Sequence, residues 1–398
     1  MQNDQTYAWL KEDVEKAASL AKEIRRDLHR HPELSGQEVR TVSRVCEELE
    51  KLGIEYRVMD DIHAVVGIIR SGREGKTVAL RADMDALPIQ ESTGLPFASE
   101  VPGVMHACGH DAHTAILLGA ASVLSSHRDQ FSGNIKLFFQ PSEESKGGAK
   151  PMIERGCMED PYVEATFGLH VSPSLPVGKL SSRSGVMHAG SDLTKIDVYG
   201  RSCHGAHPTN GVDAIWIAAR IVEAVYALQA RRTSPTESLL LNIGRIHGGS
   251  ANNIVCDHVE MGVSFRFLQQ KTRDRICDEL TQLVEKTAES LGGRGVFTCL
   301  PGYIPQSNSP ELFERFKHVA ENVMGKDAFV LQQNPSMGSE DFAFFGENRP
   351  SVFFSLGTGC AEGHEICPLH STGFTLNEEA FRHGILMHCA LALDYLNN

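Results

Sequence analysis

The sequence predicts an α/β fold: a central, mostly parallel sheet with helices on both faces, interrupted by a smaller ferredoxin-like α+β domain. Three observations carry that expectation. Helix and strand patterns alternate through the first half of the chain. Near residue 187 the rhythm changes to β-α-β-β-α-β. Helical patterns separated by one strand then resume beyond residue 302.

Residues 13–30 and 37–52 place apolar side chains at helical spacing, and the second run stops at Gly53. Residues 64–70 and 77–82 are short apolar runs of strand length, as buried parallel strands require. A helical pattern covers 111–126, a strand covers 134–140 and ends at Pro141, and a further strand covers 164–171. In the middle section, 193–199 alternates as a half-buried strand does, 213–230 is helical, 238–246 and 259–268 are strands, 271–290 is helical and 295–300 is strand-like. After Pro301 the run GYIPQSNSPE reads as a connection, followed by helices at 311–323 and 377–396 with a strand at 351–356. The expected layout is one domain made of 1–186 and 302–398, with 187–301 inserted into it as a dimerisation or lid domain. No internal repeat or low-complexity segment is visible.

The chain has 398 residues, of which 41% are hydrophobic and 22% charged, a balance that excludes a largely disordered protein. It holds 38 Lys and Arg against 51 Asp and Glu, a net charge of −13, which argues against nucleic acid or an anionic membrane as partner. The apolar run 114–124 is too short to span a bilayer. The amino-terminal run MQNDQTYAWLKEDVEK is polar and lacks a signal-peptide core, so a cytoplasmic location is expected. The ten cysteines are scattered without C-x-x-C spacing and are expected as reduced thiols, mostly buried small hydrophobes. Only Cys108 has a neighbourhood that says otherwise.

That neighbourhood is HACGHDAH, residues 106–113, holding His106, Cys108, His110, Asp111 and His113. With 18 histidines in 398 residues, eight positions would hold fewer than one on average, and here there are three. Thiolate, imidazole and carboxylate are the donors of borderline metals such as zinc. The stretch follows a Pro-Gly turn and opens a helix, so its first residues lie on a loop. Spacing alone leaves open which of them coordinate. Glu143 and Glu144 follow the strand NIKLFFQP, at the end where α/β sheets place ligands. Adjacent carboxylates can divide labour, one on a metal and one as general base, or can simply be a solvated pair ahead of a helix. His170 (GLHV), His370 (PLHSTGF), His204 (GRSCHGAHP) and the pair Asp83 and Asp85 (RADMDALP) complete the set. None is diagnostic alone, but several stand where consecutive strands end. There is no G-x-S-x-G elbow and no H-E-x-x-H. Gly75-Lys76-Thr77 precedes a strand and lacks the upstream glycine of a phosphate loop, since position 70 is Arg.

Taken together, LHRHPELSGQE, RADMDALP, HACGHDAH, QPSEE, GLHV, MGSEDF and LHS, in that order, resemble the amidohydrolase branch of the aminoacylase/carboxypeptidase metallopeptidase superfamily. That branch includes N-acyl-amino-acid, hippurate and indole-acetyl-amino-acid hydrolases. The resemblance runs from Leu28 to the last helix and says little about substrate. It implies two divalent metal ions per chain, zinc or manganese with nickel and cobalt also admitted, held by Cys108, His110, Glu144, His170 and His370. It implies Glu143 as general base and His204 as support for the oxyanion, often reaching across from a partner subunit. Asn253, Arg266 and Gly338 fall at positions associated with substrate contact, although Arg266 also suits a structural ion pair. His106 and His113 stand behind the ligands, and His207 lies close enough to His204 to be confused with it. Ser202-Cys203 replaces a common glycine pair and Cys256 a common proline, changes that bear on local shape.

The implied activity is hydrolysis of a small N-acyl-amino acid or short peptide to a carboxylate and a free amine, in a homodimer or higher homo-oligomer. A carboxypeptidase, dipeptidase or aminobenzoyl-glutamate-type hydrolase would use the same residues. A catalytically silent acyl-amino-acid binder would have no use for Glu143.

Overall fold

The computed structural model describes residues 10–234 and 237–398, so the first nine residues of the polar amino-terminal run lie outside the described residues. The chain divides into two compact units. One contains the chain up to Met187 together with Ser307–Asn334 and Asp341–Asn398. The other contains His188–Gln306 and the short return segment Pro335–Glu340.

The larger unit is built on an eight-stranded sheet in the order Glu55–Met59, Ala64–Arg70, Asn134–Gln140, Thr77–Asp83, Ala165–Ser172, Ser351–Gly357, Leu180–Ser182, Phe329–Leu331. Its four central neighbours are mutually parallel. Every residue of Thr77–Asp83 is buried, which is why this strand is an apolar run and does not alternate. Successive side chains leave opposite faces. Ile135, Leu137 and Phe139 join a core with the helices Leu10–Arg30, His110–Ser126 and Phe381–Asn397. Phe138 joins a second core with Ala149, Met152, Phe342 and Phe345. The helix His110–Ser126 is buried almost all round, so it lacks the polar face of a surface helix.

The smaller unit is a four-stranded antiparallel sheet in the order Arg294–Tyr303, Gly190–Tyr199, His258–Phe267, Leu239–Gly248. Helices Ala214–Arg232 and Gln270–Ser290 supply the rest of its core. Buried positions alternate along His258–Phe267, the signature of a sheet with one covered face. Asp213 caps the first of these helices, accepting the Ile215 N–H at 2.9 Å.

The structure corrects the sequence reading in detail. Glu55–Met59 is a strand that the sequence analysis did not resolve. The run read as a plain connection after Pro301 is partly strand, because Arg294–Tyr303 continues past the proline and Gln306–Asn308 is extended. Pro301 is tolerated because its strand lies at the sheet edge and pairs only with Gly190–Tyr199, where the register slips between Leu300 and Tyr303. The last helix begins at Phe381, after a 3-10 turn at Glu378–Ala380.

One buried charge ties the sheet to the chain's last quarter. Arg81, fully buried in Thr77–Asp83, donates to Asp83 at 2.7 Å, to Asp341 at 2.9 Å and to the Gln140 side chain at 2.9 Å. Asp341 also accepts the backbone N–H groups of Gly148 and Ala149 at 2.8 and 3.0 Å. A buried guanidinium is tolerable only with this degree of pairing. Asp341→Ala is therefore expected to cost about 3–5 kcal/mol of unfolding free energy, measured by urea denaturation.

Candidate metal centre

Most of the polar side chains of the centre reach it from the carboxyl end of a parallel strand or from the start of a helix, Cys108 from the loop just before that helix and His370 from a turn. Asp83 ends its strand and Asp85 follows it. Glu143 and Glu144 follow Asn134–Gln140, and His170 lies two residues before the end of Ala165–Ser172. His110 is the first residue of its helix, preceded by Gly109 at φ 86°. A Cβ on Gly109 would lie 2.4 Å from Val171 Cγ2, so this left-handed turn admits only glycine.

Six of the residues singled out from the sequence converge. Cys108 Sγ lies 3.4 Å from His170 Nε2 and 3.3 Å from His370 Nε2. His370 Nε2 lies 3.0 Å from Glu144 Oε1, and His110 Nε2 lies 3.9 Å from the same oxygen. The donor atoms of Cys108, His110 and His170 lie within 4.8 Å of one another, as do those of Cys108, Glu144 and His370 and those of His110, Glu143 and Glu144. Cys108, His110 and Glu143 are buried, whereas the His370 side chain is 51% exposed and marks the open side.

The surrounding shell orients these groups. Asp85 accepts a hydrogen bond from His110 Nδ1 at 3.2 Å, which turns Nε2 towards Glu144. The same carboxylate accepts the backbone N–H groups of Glu143 and Glu144 at 3.1 and 2.9 Å and the Ser35 hydroxyl at 2.6 Å. Glu38, which burial pushes up to about 7, accepts the Ser142 N–H at 2.8 Å and holds that residue at φ 59°. His370 also has a positive φ, 61°, with its N–H bound to the Ala107 carbonyl at 2.8 Å. Strain of this kind persists where neighbours over-determine it.

His113 does not offer a lone pair to the centre. Its Nδ1–H donates to Asp83 at 2.6 Å and its Nε2 accepts the Val171 N–H at 2.9 Å. Burial lowers its imidazole to about 4, so it stays neutral in that tautomer and fixes the strand end that carries His170. Burial likewise lowers His106 to about 4, and neither ring nitrogen has a hydrogen-bond partner.

The donor set fits divalent metal. His110 Nε2 is a buried atom without a hydrogen bond, and the buried Glu144 Oε1 faces the ring nitrogens of His110 and His370. Burial and the nearby Glu144 push the Cys108 thiol well above its ordinary value, so a thiolate forms here only against added positive charge.

The remaining site residues named from the sequence lie in the smaller unit, in two groups. The His204 and Ile254 backbones form an isolated bridge, the Gly205 N–H donates to the Asn253 carbonyl at 2.7 Å, and His204 Nδ1 accepts the Ala206 N–H at 3.0 Å. That brings His204 and Asn253 together on an exposed loop pair. Arg266 donates to the Ser339 hydroxyl at 2.6 Å, next to Gly338, whose carbonyl accepts the Ala189 N–H at 2.9 Å. Sequence reasoning missed Arg81, Asp341 and Glu38. A lone arginine inside the apolar run TVALRAD was the available signal, since a buried charge demands partners.

Known proteins of similar sequence and structure are of the same kind. Residues 79–394 match the peptidase family M20/M25/M40. The chain is 39% identical over 392 residues to thermostable carboxypeptidase 1 of Saccharolobus solfataricus, covering 98% of each chain. It is 37% identical over 377 residues to IAA-amino acid hydrolase ILR1-like 4 of Arabidopsis thaliana, covering 94% of this chain and 85% of the relative. A Bacillus subtilis structure described as a dinuclear metal binding peptidase from the M20 family superposes with a TM-score of 0.83 at 32% identity, covering 96% of this chain and 99% of that one. The chain belongs to peptidase family M20/M25/M40. It is a metal-dependent hydrolase of the amidohydrolase and peptidase type.

A second buried network lies behind the centre. Asp111 accepts from Arg25 at 2.8 Å and from His29 at 2.7 Å. Burial pushes its carboxyl up, but Arg25 and His29 outweigh that and hold it far below the usual carboxylate range. A depressed carboxylate contributes stability that is complete above its unfolded value of about 3.9 and lost as pH falls through the folded one. Acid unfolding monitored by circular dichroism should therefore show a steeper loss below about pH 4 in the parent than in Asp111→Asn.

Proposed function

We propose that this protein hydrolyses the amide bond of N-acyl-amino acids, releasing a carboxylate and a free amino acid, at two divalent cations held by Cys108, His110, Glu144, His170 and His370. The observation that carries the reading is the placement of Cys108. Its sulfur faces both His170 and His370, and its donor atom belongs both to the set with His110 and to the set with Glu144. One sulfur between two groups of ligands suits a pair of ions. Sulfur and imidazole favour zinc, while the carboxylate also admits manganese, nickel or cobalt. When bound, such ions lower the pKa of a water molecule and polarise the substrate carbonyl.

The residues do the rest. Glu143 is buried beside Glu144, and its carboxylate takes the proton of the attacking water and delivers it to the departing nitrogen. The backbone N–H bonds from Glu143 and Glu144 to Asp85 keep that carboxylate placed through both transfers. His204 supports the oxyanion, reaching across from a partner subunit in a homodimer, and Asn253, Arg266 and Gly338 contact substrate. The edge strand Leu239–Gly248 with exposed Leu240 and Ile246, and the helix bearing exposed Ile215, Trp216 and Tyr226, support such a dimer. Among the described residues no helix is long and apolar enough to cross a membrane. Ten free cysteines support a reducing, cytoplasmic setting.

A second reading, carboxypeptidase action on short peptides, is favoured by the name of the Saccharolobus relative. Assays of acetyl-, benzoyl- and indole-acetyl-amino acids beside dipeptides and blocked dipeptides separate the two. The proposal expects kcat/KM for at least one N-acyl-amino acid to exceed that for every peptide, and the reverse order would overturn it. Glu143→Gln should retain the parent's metal content, measured by mass spectrometry, while kcat falls about 10²–10⁴-fold. Cys108→Ala should lose metal and activity together.

A further inference from the structure

The smaller unit contains a cluster that hydrolysis does not use. Cys277, on the helix Gln270–Ser290, and Cys299, on the strand Arg294–Tyr303, place their sulfurs 3.1 Å apart. The Cys299 sulfur also lies 3.2 Å from Asp192 Oδ2. Arg273 spans both, with Nε 2.6 Å from Asp192 Oδ2 and Nη2 3.1 Å from Cys299 Sγ. The other Asp192 oxygen accepts the Gly302 N–H at 3.0 Å.

Two sulfurs and a carboxylate within 4.8 Å of one another would also suit a metal ion. The guanidinium argues against one, because it already neutralises the carboxylate and contacts the sulfur that a metal would need. What remains is the chemistry of the sulfurs themselves. A sulfur–sulfur bond is about 2.05 Å long, so closing the observed 3.1 Å gap takes roughly 1 Å of movement. The shared hydrogen bond, supported by Arg273 against the effect of burial, holds the Cys277 thiol below its ordinary value, which is the condition for a reactive thiolate. Cys277 is 9% exposed and Cys299 partly exposed, an opening suited to a small oxidant.

We propose that Cys277 and Cys299 form a reversible disulfide when the protein meets a peroxide, making this pair a redox modification site separate from the hydrolytic centre. The Cys277 thiolate attacks one peroxide oxygen, the O–O bond breaks, and a proton completes water on the departing oxygen, leaving a sulfenic acid. The Cys299 thiol then attacks that sulfur, the S–O bond breaks, and the thiol proton leaves with hydroxide as a second water. Two thiols and one peroxide thus give one disulfide and two waters, and two electrons pass from sulfur to oxygen. The bond ties helix to strand and removes the thiol hydrogen that faces Asp192.

The test uses the whole reduced protein, treated with hydrogen peroxide, blocked at its remaining thiols and digested with trypsin without reduction. Mass spectrometry should find residues 276–286 joined to residues 295–315 at about 2 Da below the summed mass of the two reduced peptides, and dithiothreitol should separate them. Free thiols should fall by two from the ten in the sequence. In Cys299→Ser the same treatment should leave a sulfenic acid on Cys277 that dimedone traps. Peroxide that leaves both thiols free, or that joins either one to a different cysteine, overturns the proposal.

Discussion

The hydrolytic centre depends on the carboxylate of Asp85. It accepts hydrogen bonds from a ring nitrogen of His110, from the Ser35 hydroxyl and from the backbone of both Glu143 and Glu144. Four donors from three parts of the chain therefore meet on one buried group. Burial alone would push Asp85 up, but these hydrogen bonds, His110 foremost, hold it below its ordinary value and keep it an acceptor. Without that acceptor the imidazole loses its orienting partner and the two glutamates lose the anchor of their backbone N–H groups. The strand that leads into Asp85 is fixed in turn by Arg81, whose guanidinium binds Asp83, Gln140 and Asp341.

The fold class was legible because its local signals agree. Largely apolar strands such as Thr77–Asp83 and the largely apolar helix after His110 announce a buried parallel sheet, and the alternating His258–Phe267 announces a sheet with one covered face. Strand order was not legible. Asn134–Gln140 lies between Ala64–Arg70 and Thr77–Asp83, a placement decided by contacts between residues more than fifty positions apart. The return of Pro335–Glu340 to the smaller unit is likewise a tertiary fact, expressed in the Arg266–Ser339 hydrogen bond.

At the centre, the residues with unusual local density were legible: three histidines and a cysteine in HACGHDAH, and the paired glutamates. The division of labour among the histidines was not. His110 and His113 stand one turn apart on the same helix, yet Asp83 and the Val171 N–H engage both nitrogens of His113, while His110 keeps Nε2 for the centre. Partners from distant strands make that choice, and spacing along the chain carries no trace of them. The same holds for Glu38, an ordinary surface-like residue in SGQE that is fully buried against Ser142.

The central claim is that this donor set holds two divalent ions on which amide hydrolysis depends. Its most direct test is metal content per chain, by mass spectrometry, followed through chelation and add-back alongside the hydrolysis of an N-acyl-amino acid. The account predicts close to two ions per chain, with turnover that falls as they are removed and returns as they are restored. Turnover that persists in metal-free protein would contradict it, as would a chain that takes up no metal on reconstitution.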